Sequence, residues 1–365
     1  MLPEISSGMI ETRHIVTPQR AFCNRARFCE SEIESVDLDD KVVISHGIGI
    51  HTYFVQMHSH IVKYDYLVVA LGSETNFGIK DAPKQSFTLK DLRDVMVLRN
   101  HVINMLEQAD IEAEDPNLRK RLLTFTLVGG RFSGIEIIGE FNDFILDSIK
   151  NFYHNLEKPY VRMILVNLAG RILPEVTEDL ADFALQKLKN GVEVILNTRV
   201  VEVRSNKVKL DKGSDITTHT VIWSGDGRPQ TLILKLSCQH DKSGRIMTNN
   251  YLEVVGDGQS VMALGDCACI IDPNTGKPYP PTAQHALREA STASINLIYK
   301  IQCQPDRKRL LEYKTKGIMT LIGKRNGVGI ILGHKIHGFA AWWLWRSYYL
   351  VNLPTTEKKL RVMVD

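Results

Sequence analysis

The chain has 365 residues, enough for two domains or so with ample core, and its 44% hydrophobic and 24% charged residues are ordinary for a globular chain. No apolar run reaches the ~18 residues of a membrane span, and no signal peptide is legible, so nothing is expected to cross a bilayer. The six cysteines (Cys23, Cys29, Cys238, Cys267, Cys269 and Cys303) make no CxxC pair and no zinc spacing, which argues against thiol–disulfide catalysis and reads as reduced thiols in a cytoplasmic chain.

The net charge of +3 is unevenly spread. From Ile301 to Asp365, 12 Lys/Arg stand against 4 Asp/Glu, a net of +8, and the remainder carries 33 against 38, a net of −5. A basic tail on an acidic body points to an anionic surface as partner. Nucleic acid has no supporting motif, and no residue pattern offers metal or nucleophilic chemistry.

In chain order, Met1 to Arg20 reads as irregular. Phe28 to Val36 and Lys41 to Ile44 alternate apolar and polar residues around Asp39-Asp40 and predict a hairpin. A further strand is expected near Thr52 to Met57. Tyr64 to Ala70 predicts a buried strand ending at Leu71-Gly72-Ser73. Arg121 to Val128 predicts another, followed by Gly129-Gly130 and an amphipathic helix from Ser133 to about Phe152. Val161 to Asn167 is the next strand. Thr177 predicts the N-cap of a helix running to Lys189, with Gly191 as its stop. Strands are expected at Val192 to Leu196, Val200 to Arg204 and Lys207 to Leu210, and a buried run from Thr220 to Trp223 ends at Ser224-Gly225.

Phe28 to Gly72 and Val192 to Asp226 therefore share a layout: hairpin, polar link, then a buried strand ending in a small-residue turn. The second copy is preceded by a strand–glycine turn–helix unit and the first by almost nothing. This implies a duplicated dinucleotide-binding architecture whose first copy lacks its opening unit.

The stretch from Val261 to Arg288 carries the most chemistry. An apolar run, Val261 to Leu264, ends at Gly265-Asp266. Such a carboxylate accepts hydrogen bonds from a polyol or ribose, and the glycine lets a ligand approach the backbone. A proline-rich turn follows, and Thr282 opens a helix, Ala283 to Tyr299, whose first amides would face an electron-rich group.

Strand–Gly–Asp, a proline-rich loop and PPTAQHA at this spacing resemble the second flavin-binding motif of type II NADH dehydrogenases, which pass electrons from NADH through FAD to quinone. The resemblance extends over Leu2-Pro3-Glu4, Asp65 to Gly72, Phe125 to Glu140, the Trp223 turn and the tryptophan-rich end. It implies an α/β fold with two Rossmann-like domains, the FAD domain split around an inserted NAD domain, and a membrane-associating C-terminal segment. The implied division is 1–110 for an incomplete first FAD part, 111–230 for the NAD domain, 231–300 for the second FAD part and 301–365 for the membrane or dimer segment.

The resemblance implies FAD and NADH as cofactors. The positions it assigns to binding them are Ala70, Gly72, Gly129, Gly130, Gly134, Glu136, Asn167, Gly225, Gly265, Asp266, Ala283 and Gln284. Glu136, at the nicotinamide end, and Gln284, lining a quinone pocket, are the implied catalytic residues. Four positions depart from the family pattern. Arg131 stands for the second glycine, where its guanidinium would either reach phosphate or occlude the approach. Asn167 stands for the acid that binds the adenine ribose; NADH is the better match and NADPH stays open, with Arg171 near in sequence. Asp226 replaces a glycine and puts negative charge near a pyrophosphate. Arg288 replaces the second glutamine of AQxxxQ. His285 reads as structural rather than as a proton donor.

Gly338 to Val351 (GFAAWWLWRSYYLV) holds three of the four tryptophans. Too short to span, it suits the headgroup layer with Lys335 and Arg346, and the family uses this region for membrane docking and subunit contact. The implied protein is a peripheral enzyme on the cytoplasmic side of a membrane, with quinone, lipid surface and a second copy as partners. The rival reading is a degenerate, catalytically impaired relic of the same fold. The chain as written is expected to hold little flavin.

Overall fold

A computed structural model describes residues 2–21, 23, 25–47, 59–256, 260–353 and 355–364. They form two compact units: Met1–Thr17 with Phe77–Asp226 and Lys316–Asp365, and Pro18–Asn76 with Gly227–Thr315. Residues 77–110, which the sequence reading grouped with the first FAD part, pack within the first of these, and so do the residues after Lys316.

The first unit is centred on a four-stranded parallel sheet, in the order Thr220–Trp223, Thr124–Val128, Arg162–Val166, Val192–Ile195. The middle strands, TFTLV and RMILV, are buried almost throughout, as near-continuous apolar strands covered on both faces must be. The Phe132–Phe152 helix lays Ile135, Ile138, Phe141 and Ile145 into the core, beside Leu98, Val102 and Leu106 of the Leu92–Ile111 helix. Asp91 caps the latter by accepting from the Asp94 amide at 2.8 Å. At the Glu178–Leu188 helix Thr177 does occupy the N-cap position, yet its side chain makes no capping bond. An antiparallel ribbon of Val200–Arg204, Lys207–Leu210 and Ile216–Thr217 precedes the last parallel strand.

Several features of this unit were not anticipated, the Leu92–Ile111 helix among them. The segment read as irregular forms short helices, Leu2–Ser6 and Thr12–Ile15, with Ile5 and Ile10 buried beside Val95 and Val362. And Gly317–Leu321, Gly327–Ile331 and His334–His337 make an antiparallel three-stranded sheet, against which the Gly338–Asn352 helix packs.

In the second unit, Ser31–Asp37 and Val42–Gly47 form the expected hairpin, extended by Ser59–Lys63. The strand expected at Thr52 to Met57 lies outside the described residues. Leu67–Val69 pairs in parallel with Val261–Ala263. It is shorter and less buried than its apolar run suggests, with Val69 buried but Val68 40% exposed. The expected duplication of layout is present: in each unit a three-stranded antiparallel ribbon precedes a strand that enters a parallel sheet. The Ala283–Ile301 helix and the Leu252–Ile270 region share an apolar core built from Ile246, Leu252, Val261, Ala263, Cys267 and Ala293.

Candidate functional site

In the first unit the parallel strands deliver two turns side by side at their C-terminal ends. Gly129 follows Thr124–Val128 with φ +115°, and a Cβ there would lie 2.3 Å from the carbonyl oxygen of Ser224 and 3.6 Å from the amide nitrogen of Gly225. Only glycine fits that conformation and that approach. Gly134, one turn into the helix, has its α-carbon against the Gly129 carbonyl; a Cβ would come within 2.0 Å of that oxygen. This is the helix-to-strand packing demanded of the last glycine in a dinucleotide turn.

Asn167, at the end of the neighbouring strand, holds this turn together. Its Oδ1 accepts from the Gly130 amide at 3.0 Å, and its Nδ2 donates to the carbonyls of Ala169 and Arg171. Gly129, Gly130, Gly134, Asn167 and Gly225 are thus brought to one place, with Asn167 bonded to the turn itself. Arg171, raised as a neighbour for a 2′-phosphate, turns its guanidinium onto the carbonyls of Leu173, Pro174 and Val176. Arg131 lies 3.2 Å from Asp226 and 3.6 Å from Glu175.

Glu136 lies on the same helix, just past Gly134. Its carboxylate accepts from the Thr320 hydroxyl at 3.0 Å and the Leu321 amide at 3.3 Å. Desolvation raises its pKa, against those two hydrogen bonds. Sequence reasoning could not see Thr320, which is 184 residues away.

In the second unit the two strand ends also meet. The Leu264 amide donates to the Val69 carbonyl at 3.1 Å, and the Ser73 hydroxyl donates to Asp266 Oδ2 at 3.0 Å. Ala70, Gly72, Gly265 and Asp266 therefore stand together. Gly72 and Gly265 adopt φ +66° and +73°, with nothing within 4 Å of a Cβ at the first and only the Ala286 methyl near the second. Open space beside left-handed backbone lets a ligand approach the main chain at both glycines. The Ala283–Ile301 helix is fastened to this turn by Glu289, whose carboxylate accepts from the Gly265 amide at 2.7 Å. Glu289 is 3% exposed, and burial raises its pKa. It escaped the sequence reading, although an acid on the apolar face of an amphipathic helix was a legible signal.

Gln284 receives a hydrogen bond on Oε1 from the Tyr313 hydroxyl at 3.0 Å, and the Arg288 guanidinium lies 5.6 Å from the centre of the same tyrosine ring. His285 is buried between Tyr279 and Tyr313, its nitrogens within 2.6 Å and 3.3 Å of the Thr282 and Thr315 hydroxyls. Desolvation lowers its pKa, in keeping with a structural imidazole.

Residues 7–290 match the family model for pyridine nucleotide-disulphide oxidoreductases. The chain belongs to that family. Along its whole length it is 28% identical to a probable NADH dehydrogenase of Dictyostelium discoideum, covering 80% of that relative, and 26% identical to the type II NADH:quinone oxidoreductase of Mycobacterium tuberculosis, covering 78%. Its fold matches the structure of NDH2 from Plasmodium falciparum in complex with NADH, with a TM-score of 0.89 at 20% identity over 100% of this chain and 89% of that one.

The two cysteines nearest the Gly265-Asp266 turn are not placed for thiol chemistry. Cys267 and Cys269 are buried, and desolvation raises both thiol pKa values, which keeps them protonated. Among the described residues no group of three His, Cys, Asp or Glu could hold a metal, and no helix is long and apolar enough to cross a membrane.

The C-terminal helix corrects one detail of the sequence reading. Arg346 does not face outward; it pairs with the buried Glu4 at 3.0 Å and donates to the Val362 carbonyl. Lys335 pairs with Asp179 at 2.8 Å. The exposed aromatic side chains are Phe339, Trp343, Tyr348 and Tyr349, while Trp345 is buried.

Proposed function

We propose that this chain is a type II NADH:quinone oxidoreductase, taking a hydride from NADH and delivering two electrons to a quinone without proton pumping. The observation that carries the reading is the Gly129–Gly134 turn, where backbone stands against backbone as a dinucleotide turn requires, in a chain whose relatives along its full length carry NADH dehydrogenase names. FAD, when bound, supplies the acceptor for the hydride and the donor for the quinone.

The residues that would hold FAD are Ala70, Gly72, Gly265, Asp266 and the start of the helix at Ala283. The Asp266 carboxylate, oriented by Ser73, would accept from the polyol hydroxyls. NADH would lie over Gly129, Gly130, Gly134 and Gly225, with Asn167 holding the shape of that turn. Glu136, kept protonated to higher pH by burial, would donate near the nicotinamide end. Gln284, oriented by Tyr313, would meet the quinone. In domain terms, the first unit carries the NAD site and the second the FAD site.

Phe339, Trp343, Tyr348 and Val351 are exposed apolar side chains around the last long helix. With a net of +8 from Ile301 onward, this exposed aromatic segment is suited to the surface of an anionic bilayer, on the cytoplasmic side if the thiols are reduced. A second copy is the other partner such a segment would take. Flotation with phosphatidylserine vesicles, for the full chain and for Trp343→Ser with Tyr348→Ser, separates the two: lipid docking is lost in the variant, whereas a dimer face changes sedimentation instead.

The enzymatic test is NADH oxidation by the FAD-reconstituted chain with a soluble ubiquinone analogue. Turnover that depends on both FAD and quinone is expected, and Glu136→Gln should slow it. A chain that binds FAD and NADH but shows no turnover with ubiquinone or menaquinone analogues would be the impaired relic instead. The feature favouring that rival is Arg288 stacked on the tyrosine that holds Gln284.

A further inference from the structure

Arg131 and Asp226 both stand where the family pattern has glycine, 95 positions apart in the chain, and in the folded unit they face each other at 3.2 Å. Arg131 is the residue that opens the Phe132–Phe152 helix, directly after Gly129-Gly130. On its other side Glu175, from the loop after the Arg162–Val166 strand, approaches to 3.6 Å. One guanidinium therefore sits between two carboxylates, beside the turn in which Gly129 and Gly134 pack backbone on backbone.

We propose that Arg131 binds the pyrophosphate of the nicotinamide dinucleotide, and that Asp226 competes with that pyrophosphate for it. This rests on the reading of the turn as the NADH site. Three observations carry it. The first is position: the second glycine of such a turn exists so that pyrophosphate can come close, and a side chain placed there either binds the pyrophosphate or blocks it. The second is exposure. The Arg131 and Asp226 side chains are 58% and 66% exposed, so their attraction is screened by water and is given up cheaply. A guanidinium pairing two phosphate oxygens at a helix start is charge-assisted and bidentate, and outcompetes it. The third is charge balance. Without Arg131 the turn would present two carboxylates to a dianion; with it, the ion pair neutralises one of them before the ligand arrives.

Blocking is the alternative, and it makes the opposite forecast. If Arg131 merely occludes the turn, its removal tightens binding. If it binds pyrophosphate, its removal weakens binding, and removal of Asp226 tightens it.

The test is calorimetric titration of the full chain with ADP-ribose, which carries the pyrophosphate and has no redox chemistry, with adenosine as the control lacking it. Arg131→Ala should weaken ADP-ribose by about tenfold or more, Arg131→Lys should restore part of that, and Asp226→Asn should tighten it by about threefold. Adenosine affinity should not change. Raising salt should weaken ADP-ribose in the unaltered chain more than in Arg131→Ala. All three variants change exposed side chains, and circular dichroism checks that they fold. Equal or tighter ADP-ribose binding by Arg131→Ala overturns the proposal, as does weaker binding by Asp226→Asn. If the unaltered chain binds ADP-ribose and NADH while Arg131→Ala matches it, only this inference fails; if the unaltered chain binds neither, the NADH reading fails and this role with it.

Discussion

The glycines at the two strand ends are glycine for different reasons. In the first unit Gly129 and Gly134 are locked by neighbouring backbone, with a Cβ brought to 2.3 Å and 2.0 Å from carbonyl oxygens. In the second, Gly72 and Gly265 have positive φ but open surroundings. The first turn is a packing joint between helix and strand. The second is a lined space, where glycine preserves room and conformation rather than contact. A similar contrast holds for buried acids. Glu140 of the first unit is 4% exposed and is pushed up to about 7, chiefly by desolvation, with Glu4 and Asp143 adding repulsion. Glu253 of the second unit is 3% exposed, and burial works to raise it too. There, hydrogen bonds from Lys308, Asn249 and Lys300 win, and its pKa is lowered.

The largest effect expected from this contrast is at Gly134. Gly134→Val must displace backbone, so a loss of roughly 3 kcal/mol or more, or no soluble protein, is expected. A thermal melt within a few degrees of the unaltered chain would show that the joint has slack.

Next is Lys308→Ala. It removes the 2.5 Å partner of a buried carboxylate, and should cost about 3 kcal/mol in urea unfolding. Glu253 has a folded pKa below its unfolded value. Its contribution is therefore present above the unfolded pKa and lost as pH falls through the folded one, and Lys308→Ala should be least harmful in acid.

Glu140 gives the opposite slope. Its folded pKa of about 7 lies above the unfolded 4.5, so the native state holds the extra proton between those values. Stability should fall by about 2–3 kcal/mol as pH rises through that window, and Glu140→Gln should flatten the curve. Parallel pH curves for the two proteins would remove Glu140 from the account.

The smallest stability change is expected at Gly265→Ala, about 1–2 kcal/mol from left-handed backbone alone. Its informative readout is flavin: absorbance in the flavin bands after FAD reconstitution should drop out of proportion to stability. Full flavin retention would mean that the open space at Gly265 is not where the cofactor lies.

Much of this architecture was legible in local pattern. Apolar runs of four or five residues ending in small-residue turns marked the parallel strands, because a strand covered on both faces has no polar side to show. Alternation marked the hairpins, and the order of these elements exposed the doubled layout. Gly265-Asp266 and the helix after Thr282 were readable because their chemistry is contiguous in the chain.

Partnership was not legible. That Arg131 meets Asp226 and Glu175, that Asn167 spends its amide on the Gly130 turn, and that Arg346 points inward to Glu4 depend on elements 37 to 342 residues apart. The sheet at Gly317–His337 was missed because its glycine-rich and short strands carry little periodicity of their own. Periodicity, turn chemistry and contiguous motifs are properties of the chain, and so the sequence by itself determined the parallel strands, the hairpins and the contiguous Gly265-Asp266 motif. Which charge neutralises which, and which glycine is a joint rather than a space, are set by distances across the fold, and only the tertiary structure decided them.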